Sequence, residues 1–172
     1  MEQVVLVDNE DNDIGLKEKM EAHKNPVPLH RAISVIILNN KDEMLITKRA
    51  STKKTWHDFW SNTCCSHPRK GETPEAAAKR RMQEELGFSC DLDFLFKFTY
   101  EAKFNNEWGE HELDHIFLGY YDGPVHANAE EIGDHKFVDI EELKHDMEKH
   151  PEKYTPWFKL MFKRVMYHIG RV

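Results

Sequence analysis

The fold is decided by the stretch from Ser66 to Phe88, which reads SHPRKGETPEAAAKRRMQEELGF. Thr73 and Pro74 are typical of a helix start, because threonine can cap free backbone amides and proline is tolerated at the first helical position. Gly87 predicts the end of that helix. Three residues at helical spacing would form its apolar stripe: Ala78, Met82 and Leu86. The stretch therefore predicts a capped helix over residues 74–86.

Strands and further helices are predicted on both sides of this helix. Before it come a strand at residues 4–7, a helical pattern at 16–23, and a hairpin of strands 32–38 and 44–47 around a turn at 39–42. After it come strands at residues 92–100, at 113–121 and near 137–138, and helices at 140–149 and 156–169. No internal repeat or linker interrupts this order.

Length and charge limit the class of protein. A chain of 172 residues, 40% of them hydrophobic, suits one globular domain that buries roughly 70% of its unfolded surface. A net charge of -7 disfavours non-specific attraction to nucleic acid or anionic lipid. The longest apolar run, residues 35–38, is far below the ~20 residues of a spanning helix, and the N-terminus lacks the features of a signal peptide. We expect a cytoplasmic protein with reduced cysteines and with no nucleic-acid or membrane partner.

Three acidic residues share one face of a predicted strand. Glu110, Glu112 and Asp114 point the same way, because alternate strand residues face the same side. The row continues into apolar residues, and unpaired buried carboxylates cost several kcal/mol. Two interpretations remain open: a bound metal neutralises the acids, or the end of the strand projects into water.

Three histidines are candidate partners for these acids. His23 and His30 flank a proline-containing loop, and His67 follows a cysteine pair. With two glutamates they would form a mixed nitrogen and oxygen site suited to zinc, manganese or iron. Each histidine alone is more typical of a structural or surface residue, so the hypothesis depends on their convergence.

Charged residues on the central helix have two interpretations. Arg80 and Arg81 precede Glu84 and Glu85 by four residues, which predicts surface ion pairs worth ~0.3 kcal/mol each. For such helix-surface ion pairs, the order of arginine before glutamate is less stabilising than the reverse. It favours a different use, in which the carboxylates hold a divalent ion and the arginines bind phosphate.

Cys65 is the candidate acid or base. A free thiol titrates near ~8.5, and neighbouring cations lower that pKa. Because Arg49, Lys53 and Arg81 are expected nearby, the thiol could exchange protons near neutral pH. Cys64 is expected to fill the core instead, as is Cys90.

Residues 66–88 resemble a degenerate Nudix box, in which glycine, five residues, glutamate and seven residues precede Arg-Glu-apolar-x-Glu-Glu-x-Gly-apolar. Seven positions match: Glu72, Arg80, Met82, Glu84, Glu85, Gly87 and Phe88. Two positions depart, since Ser66 replaces the opening glycine and Arg81 replaces a glutamate of the catalytic helix. The resemblance implies an α/β (α+β) Nudix-type fold with a mixed β-sheet sandwiched between helices. The missing carboxylate at Arg81 disfavours ordinary Nudix diphosphate hydrolysis.

Nearly the whole chain also resembles the type I isopentenyl diphosphate isomerases, which are Nudix relatives. The matching positions are His23, His30, Lys48-Arg49-Ala50, Lys53, residues 63–68, Tyr100, residues 108–112 and residues 155–158. The resemblance implies an enzyme of isoprene biosynthesis that interconverts isopentenyl diphosphate and dimethylallyl diphosphate. We expect a monomer or a weak homodimer.

Carried over by position, the resemblance also implies the site residues. Mn²⁺ or Zn²⁺ would be held by His23, His30, His67, Glu110 and Glu112. Mg²⁺ would be held by Glu85 and the substrate phosphates. The diphosphate would contact Lys19, Arg49, Lys53, Ser66 and Arg81. The catalytic residues would be Cys65, Glu112, Tyr100 and Trp157.

The chemistry of the implied reaction suits these residues. Moving the double bond requires protonation of an alkene and removal of a different proton, so two exchangeable groups must face a five-carbon chain. Cys65 and Glu112 suit this task in either order. The face of Trp157 can stabilise the tertiary carbocation by roughly 1–2 kcal/mol. Two other functions stay open: a Nudix hydrolase of a nucleoside diphosphate derivative, and a non-catalytic module that binds a metal or a diphosphate.

Overall fold

Residues 1–171 are described by a computed structural model, and they form nine strands in one sheet. In chain order the strands are β1 (Gln3–Val7), β2 (Asp13–Glu18), β3 (His30–Leu38), β4 (Glu43–Arg49), β5 (Trp60–Ser61), β6 (Cys64–Ser66), β7 (Leu92–Lys103), β8 (Gly109–Tyr120) and β9 (Ile132–Asp139). The helices are α1 (Lys19–Ala22), α2 (Pro74–Leu86), α3 (Ile140–Lys149) and α4 (Pro156–His168), with a short 3-10 turn at Pro151–Lys153. Within the described residues, none of the helices combines the length and the apolar character needed to cross a membrane.

Strand β3 lies at the centre of the sheet, because its side chains are apolar on both faces. It runs parallel to β8, from the pair of His30 and Glu112 to the pair of Leu38 and Tyr120. Its contacts with β1, β4 and β6 are antiparallel. The sheet is therefore mixed, as predicted.

Helices cover both faces of the sheet. On one face, Ile37 packs in a buried cluster with Met82 and Leu86 of α2. On the other face, Ile36 packs in a cluster with Phe158 of α4 and residues of α3. Fully burying side chains of this size stabilises the fold by ~1.5–3 kcal/mol each. The predicted sandwich of a mixed sheet between helices is confirmed.

Helix α2 begins and ends where its sequence predicts. The Thr73 hydroxyl accepts a hydrogen bond from the backbone N–H of Ala76 over 3.2 Å, and Pro74 is the first helical residue. Gly87 ends the helix with a φ of 73°, a conformation that disfavours side chains with a Cβ atom. The helix is thereby held with Glu85 buried against the sheet.

The helical pattern predicted at residues 16–23 is wrong in its first half. Leu16 pairs with Val5, so it belongs to β2 rather than to a helix. The helix starts only after Glu18, whose carboxylate accepts hydrogen bonds from the backbone amides of Met20 and Glu21. Pairing with β1 overrides the local periodicity at this position.

The predicted hairpin of β3 and β4 forms its turn, but the two strands separate directly after it. Within the described residues, Leu38 and Met44 are the one pair that joins them. Strand β4 pairs instead with β9 along its length. Strand β6 pairs with β3, placing Cys65 opposite Ser34 in the middle of the sheet.

Candidate active site

A cavity of about 250 Å³ opens between α1, β6, α2 and the start of β8. Twelve of the fourteen predicted site residues line it: Lys19, His23, Arg49, Lys53, Cys65, Ser66, His67, Arg81, Glu85, Glu110, Glu112 and Trp157. The other two contact its wall. Tyr100 donates a hydrogen bond to Glu112, and Nε2 of His30 lies 3.7 Å from a Glu112 carboxylate oxygen.

Three imidazoles converge at one end of this cavity. The ring centroids of His23 and His30 lie 4.8 Å apart, and the ring of His67 lies 5.3 and 5.2 Å from them. His23 follows α1, His30 begins β3 opposite Glu112, and His67 follows β6. The predicted convergence of the three histidines is confirmed, and it depends on three separate elements.

Backbone contacts orient two of these rings. Nδ1 of His23 donates to the carbonyl of Lys19 over 2.7 Å, and Nδ1 of His30 donates to the carbonyl of Pro28 over 2.9 Å. With the proton on Nδ1, the lone pair of a neutral imidazole is on Nε2. Such contacts are typical of metal-binding histidines, because they fix the ring and its tautomer.

Two carboxylates of β8 complete the cluster. Glu112 lies 2.9 Å from Nε2 of His67, and Glu110 lies 3.0 Å from Nε2 of His23. Both glutamates are 7% exposed and Asp114 is 1% exposed. The interpretation that this strand end projects into water is therefore wrong.

The donor set fits a divalent cation. Two groups of side chains could hold one, with ligand atoms within 4.8 Å of each other: His23, His30 and His67, and His30, Glu110 and Glu112. Within the described residues, two buried imidazole nitrogens here have no hydrogen-bond partner: Nε2 of His30 and Nδ1 of His67. Buried polar atoms are normally paired, so a cation would satisfy atoms that the protein leaves unpaired.

The electrostatics of the cluster favour positive charge. Burial opposes protonation of His23, but the carboxylates of Glu110 and Glu112 outweigh it and raise the pKa of His23 to about 9. Burial dominates at His30 and lowers its pKa to about 4. The glutamates therefore attract positive charge to this end of the cavity, whereas burial keeps the His30 imidazole itself unprotonated.

The Cys65 thiol faces the same cavity, but the prediction that its pKa is lowered is wrong. Burial, followed by the carboxylate of Asp114, raises the pKa of Cys65 to about 12. The thiol donates a hydrogen bond to Oδ1 of Asn62 over 3.0 Å. The predicted cations do line the cavity with Cys65, but desolvation outweighs them, so the sulfur holds its proton.

Basic side chains form the other wall, and the four predicted ones, Lys19, Arg49, Lys53 and Arg81, each already have a partner. Nη2 of Arg81 lies 2.6 Å from Glu85. Lys19 lies 3.2 Å from Glu2, and the Arg49 guanidinium donates to the carbonyl of Thr55 over 3.1 and 3.2 Å. The surface interpretation holds for Arg80 and the exposed Glu84, which are 3.4 Å apart. It is wrong for the half-buried Arg81 and the buried Glu85, which pair in the cavity wall.

Comparison with known proteins identifies the family. The NUDIX domain family matches residues 28–158. Isopentenyl-diphosphate Delta-isomerase 1 of Aromatoleum aromaticum is 44% identical over 165 residues, covering 96% of this chain and 93% of that protein. Isopentenyl-diphosphate Delta-isomerase of Serratia proteamaculans is 41% identical over 162 residues, covering 94% and 90%. The chain belongs to the isopentenyl-diphosphate Delta-isomerase family and carries a NUDIX domain.

Solved structures share the fold at low sequence identity. A Deinococcus radiodurans protein has a TM-score of 0.79 at 17% identity, covering 95% of this chain and 98% of its own. The MutT protein of Methanosarcina mazei has a TM-score of 0.66 at 20% identity, covering 80% and 92%. These likenesses show the fold alone; together with the family match over residues 28–158, the shared fold confirms the predicted Nudix-type architecture.

Glu131 is a cavity residue that no sequence motif indicates. Its carboxylate pairs with Lys53 and lies 3.6 Å from Nη2 of Arg81. Its carbonyl accepts a hydrogen bond from the N–H of Ala50 over 3.1 Å, where β9 begins beside β4. The pairing of those two strands brings Glu131 to the basic wall, and that pairing was not predicted.

Proposed function

We propose that this protein interconverts isopentenyl diphosphate and dimethylallyl diphosphate by metal-dependent protonation and deprotonation through a tertiary carbocation. The observation that carries the proposal is the placement of a thiol, Cys65, and a carboxyl group, Glu112, on one cavity that is also lined by the basic wall and Trp157. The names of the relatives support the same reaction.

Cys65 and Glu112 would carry out the two proton transfers. One group adds a proton to the terminal alkene carbon, and the π electrons form the new C–H bond. This leaves the positive charge on the tertiary carbon. The other group removes a proton from the methylene bonded to that carbon, and the C–H electrons form the new double bond. A thiol whose pKa is raised keeps its proton at neutral pH, and the hydrogen bond from Tyr100 orients Glu112.

Trp157 would face the positive charge of the carbocation. Its side chain is 3% exposed and packs edge-on against Trp56, with ring centroids 5.2 Å apart. An indole face in a dry cavity stabilises a cation by ~1–2 kcal/mol. Exclusion of water also protects the carbocation from capture.

The metal ligands would be His23, His30, His67, Glu110 and Glu112, with Mn²⁺ or Zn²⁺ bound, and Glu85 would hold Mg²⁺ together with the substrate phosphates. When bound, such ions supply positive charge that makes a neighbouring carboxyl group more acidic and neutralises phosphate oxygens. The three histidines and Glu110, as fellow ligands, would then keep Glu112 in one orientation.

The basic wall would bind the diphosphate through Lys19, Arg49, Lys53, Ser66 and Arg81. This part of the substrate lies away from the reacting carbons, so its binding energy positions the alkene between Cys65 and Glu112. We further propose that residues 1–172 act as one domain, in the cytoplasm, as a monomer or weak homodimer. The partner would be a small diphosphate rather than a nucleic acid or a membrane.

The test is to incubate the protein with isopentenyl diphosphate and Mg²⁺ in D₂O and to follow the reaction by NMR. We expect signals of dimethylallyl diphosphate that carries deuterium from solvent. Release of inorganic phosphate without an allylic methyl signal would contradict the proposal and indicate a hydrolase. An unchanged spectrum would also contradict it and indicate a binding module.

A further inference from the structure

A chain of buried hydrogen bonds connects Cys65 to Trp157 behind the cavity wall. The Cys65 thiol donates to Oδ1 of Asn62 over 3.0 Å, and the Ser61 hydroxyl donates to the same oxygen over 3.0 Å. Nε1 of Trp157 donates to the Ser61 hydroxyl oxygen over 3.0 Å. Ser61 is 3% exposed and Asn62 is 1% exposed, whereas Cys65 and Trp157, at the two ends of this series of hydrogen bonds, line the cavity.

The orientation of the Asn62 amide is determined by two backbone carbonyls. Its Nδ2 donates to the carbonyl of Val35 over 3.2 Å and to that of Cys64 over 3.0 Å, which uses both of its hydrogens. A flipped amide would place its oxygen against two carbonyl oxygens and leave them unsatisfied, which is costly in a buried position. The Asn62 oxygen must therefore point toward Cys65 and Ser61.

The hydroxyl of Ser61 has its direction determined as well. The indole of Trp157 can only donate, so the Ser61 oxygen accepts from it. The Thr155 hydroxyl lies 2.9 Å away and can supply a second donor, while the single Ser61 hydrogen goes to Asn62. A network in which every polar atom has a partner is rigid and holds its members in one arrangement.

We propose that Ser61 and Asn62 are positioning residues that hold the Cys65 thiol and the Trp157 indole at a set separation across the cavity. The inference rests on the proposed isomerisation, in which one of these groups exchanges a proton and the other faces the resulting charge. A misplacement of ~1 Å can cost ~10²-fold in rate. Of the basic wall, Arg49 touches the network, with its guanidinium 5.4 Å from the Trp157 ring, but no basic side chain among the described residues hydrogen-bonds to Ser61 or Asn62. The pair therefore acts on the chemical step more than on diphosphate binding.

Two variants and one matched control test the proposal by kinetics. Asn62→Leu and Ser61→Ala should each lower kcat by about 10- to 100-fold, with KM within about twofold of wild type. The control is Asn39→Leu, because the Asn39 side chain makes three hydrogen bonds in the β3–β4 turn, compared with four at Asn62. It should leave both constants unchanged. An unchanged kcat in either folded variant, or a rise in KM alone, would overturn the proposal.

An NMR measurement tests the same pair without activity. With ¹⁵N-labelled tryptophan, Trp157→Phe identifies the Trp157 indole signal among those of the four tryptophans. In Ser61→Ala the signal should shift and its proton should exchange faster, because its acceptor is lost. A signal that does not move overturns the positioning role even if the wild type isomerises. If the wild type does not isomerise, the proposed function fails separately. If Asn62→Leu does not fold, the kcat and the Trp157 indole signal of Ser61→Ala test the proposal in its place.

Discussion

Two largely buried clusters of histidine and acid draw residues from the same pair of strands, β3 and β8. The residues that these strands contribute to the two clusters face opposite sides of the sheet. The cavity cluster contains His23, His30, His67, Glu110 and Glu112. The outer cluster contains Asp11, Arg31 and His115. Their residue types are similar, but their hydrogen bonding is not.

The outer cluster is paired within the protein, and the cavity cluster is not. His115 contacts the carbonyl of Ala32 at 3.2 Å and Asp11 at 2.8 Å, and Nε of Arg31 donates to Asp11 over 2.7 Å. The cavity cluster leaves Nε2 of His30 without a partner among the described residues. Burial of charge therefore does not by itself mark a functional site, whereas unpaired buried atoms beside a cavity do.

The largest effect is expected at Glu112, where metal binding and proton transfer coincide. Glu112→Gln should lower isomerisation by about 10⁴-fold, since the amide is a weaker metal ligand and cannot exchange the proton. It should also remove the bound metal, which elemental analysis measures. Glu101→Gln, an exposed position on β7, is the control and should retain both. Full metal occupancy in Glu112→Gln would contradict the ligand role.

Cys65→Ala should lower isomerisation by about 10³-fold, because one of the two proton-exchanging groups is lost. Its circular dichroism spectrum should match that of wild type. Cys90→Ala, which changes a half-buried thiol elsewhere, should keep its activity. Near-normal turnover by Cys65→Ala would refute the assignment of the cavity as the site of chemistry.

Arg81→Glu should lower isomerisation by about 10²-fold, since it places a carboxylate beside Glu85 and Glu131 and removes a diphosphate contact. The readout is the rate of dimethylallyl diphosphate formation, with inorganic phosphate measured in parallel. Lys79→Glu reverses an exposed charge on the same helix and should have little effect. Equal rates for the two variants would remove Arg81 from the binding wall.

In the outer cluster we expect a loss of stability without a loss of activity. Asp11→Asn should lower the free energy of unfolding by about 1–3 kcal/mol, because the charged contacts with Arg31 and His115 are weakened. Asparagine tolerates the φ of 67° at this position. Urea denaturation measures the loss, and kcat should stay within about twofold of wild type. A large fall in kcat would break the distinction between the clusters.

The smallest expected effect is the pH dependence of the difference in unfolding free energy between wild type and Asp11→Asn. Burial opposes ionisation of Asp11, but Arg31 and His115 outweigh it and hold its pKa below the ordinary value. The stabilisation is therefore present above the unfolded pKa of about 3.9 and is lost as the pH falls through the lower folded value. Urea titrations at about pH 7 and pH 3 should show wild type and Asp11→Asn converging in acid. A constant difference would exclude Asp11 ionisation as its source.

Much of the fold could be predicted from short patterns. The cap at Thr73, the stop at Gly87 and the stripe through Met82 depend on residues within one or two helical turns, and the structure has all three. The resemblance carried by residues 66–88 indicated the mixed sheet. By contrast, Leu16 shows a helical pattern that pairing with β1 overrides, because a strand partner lies outside the local window.

The amino-acid sequence specifies the chemical groups of the site: three of the eleven histidines, the glutamate pair, Cys65 and the basic residues of the cavity wall. How these groups behave depends on the folded structure. The Cys65 pKa rises because burial outweighs nearby cations, and Asn62 and Glu131 join the site through strand pairings between distant segments. Caps and periodicity act over a few residues and are visible in a sequence. Desolvation and hydrogen bonding depend on all neighbours in space, which only the folded chain brings together.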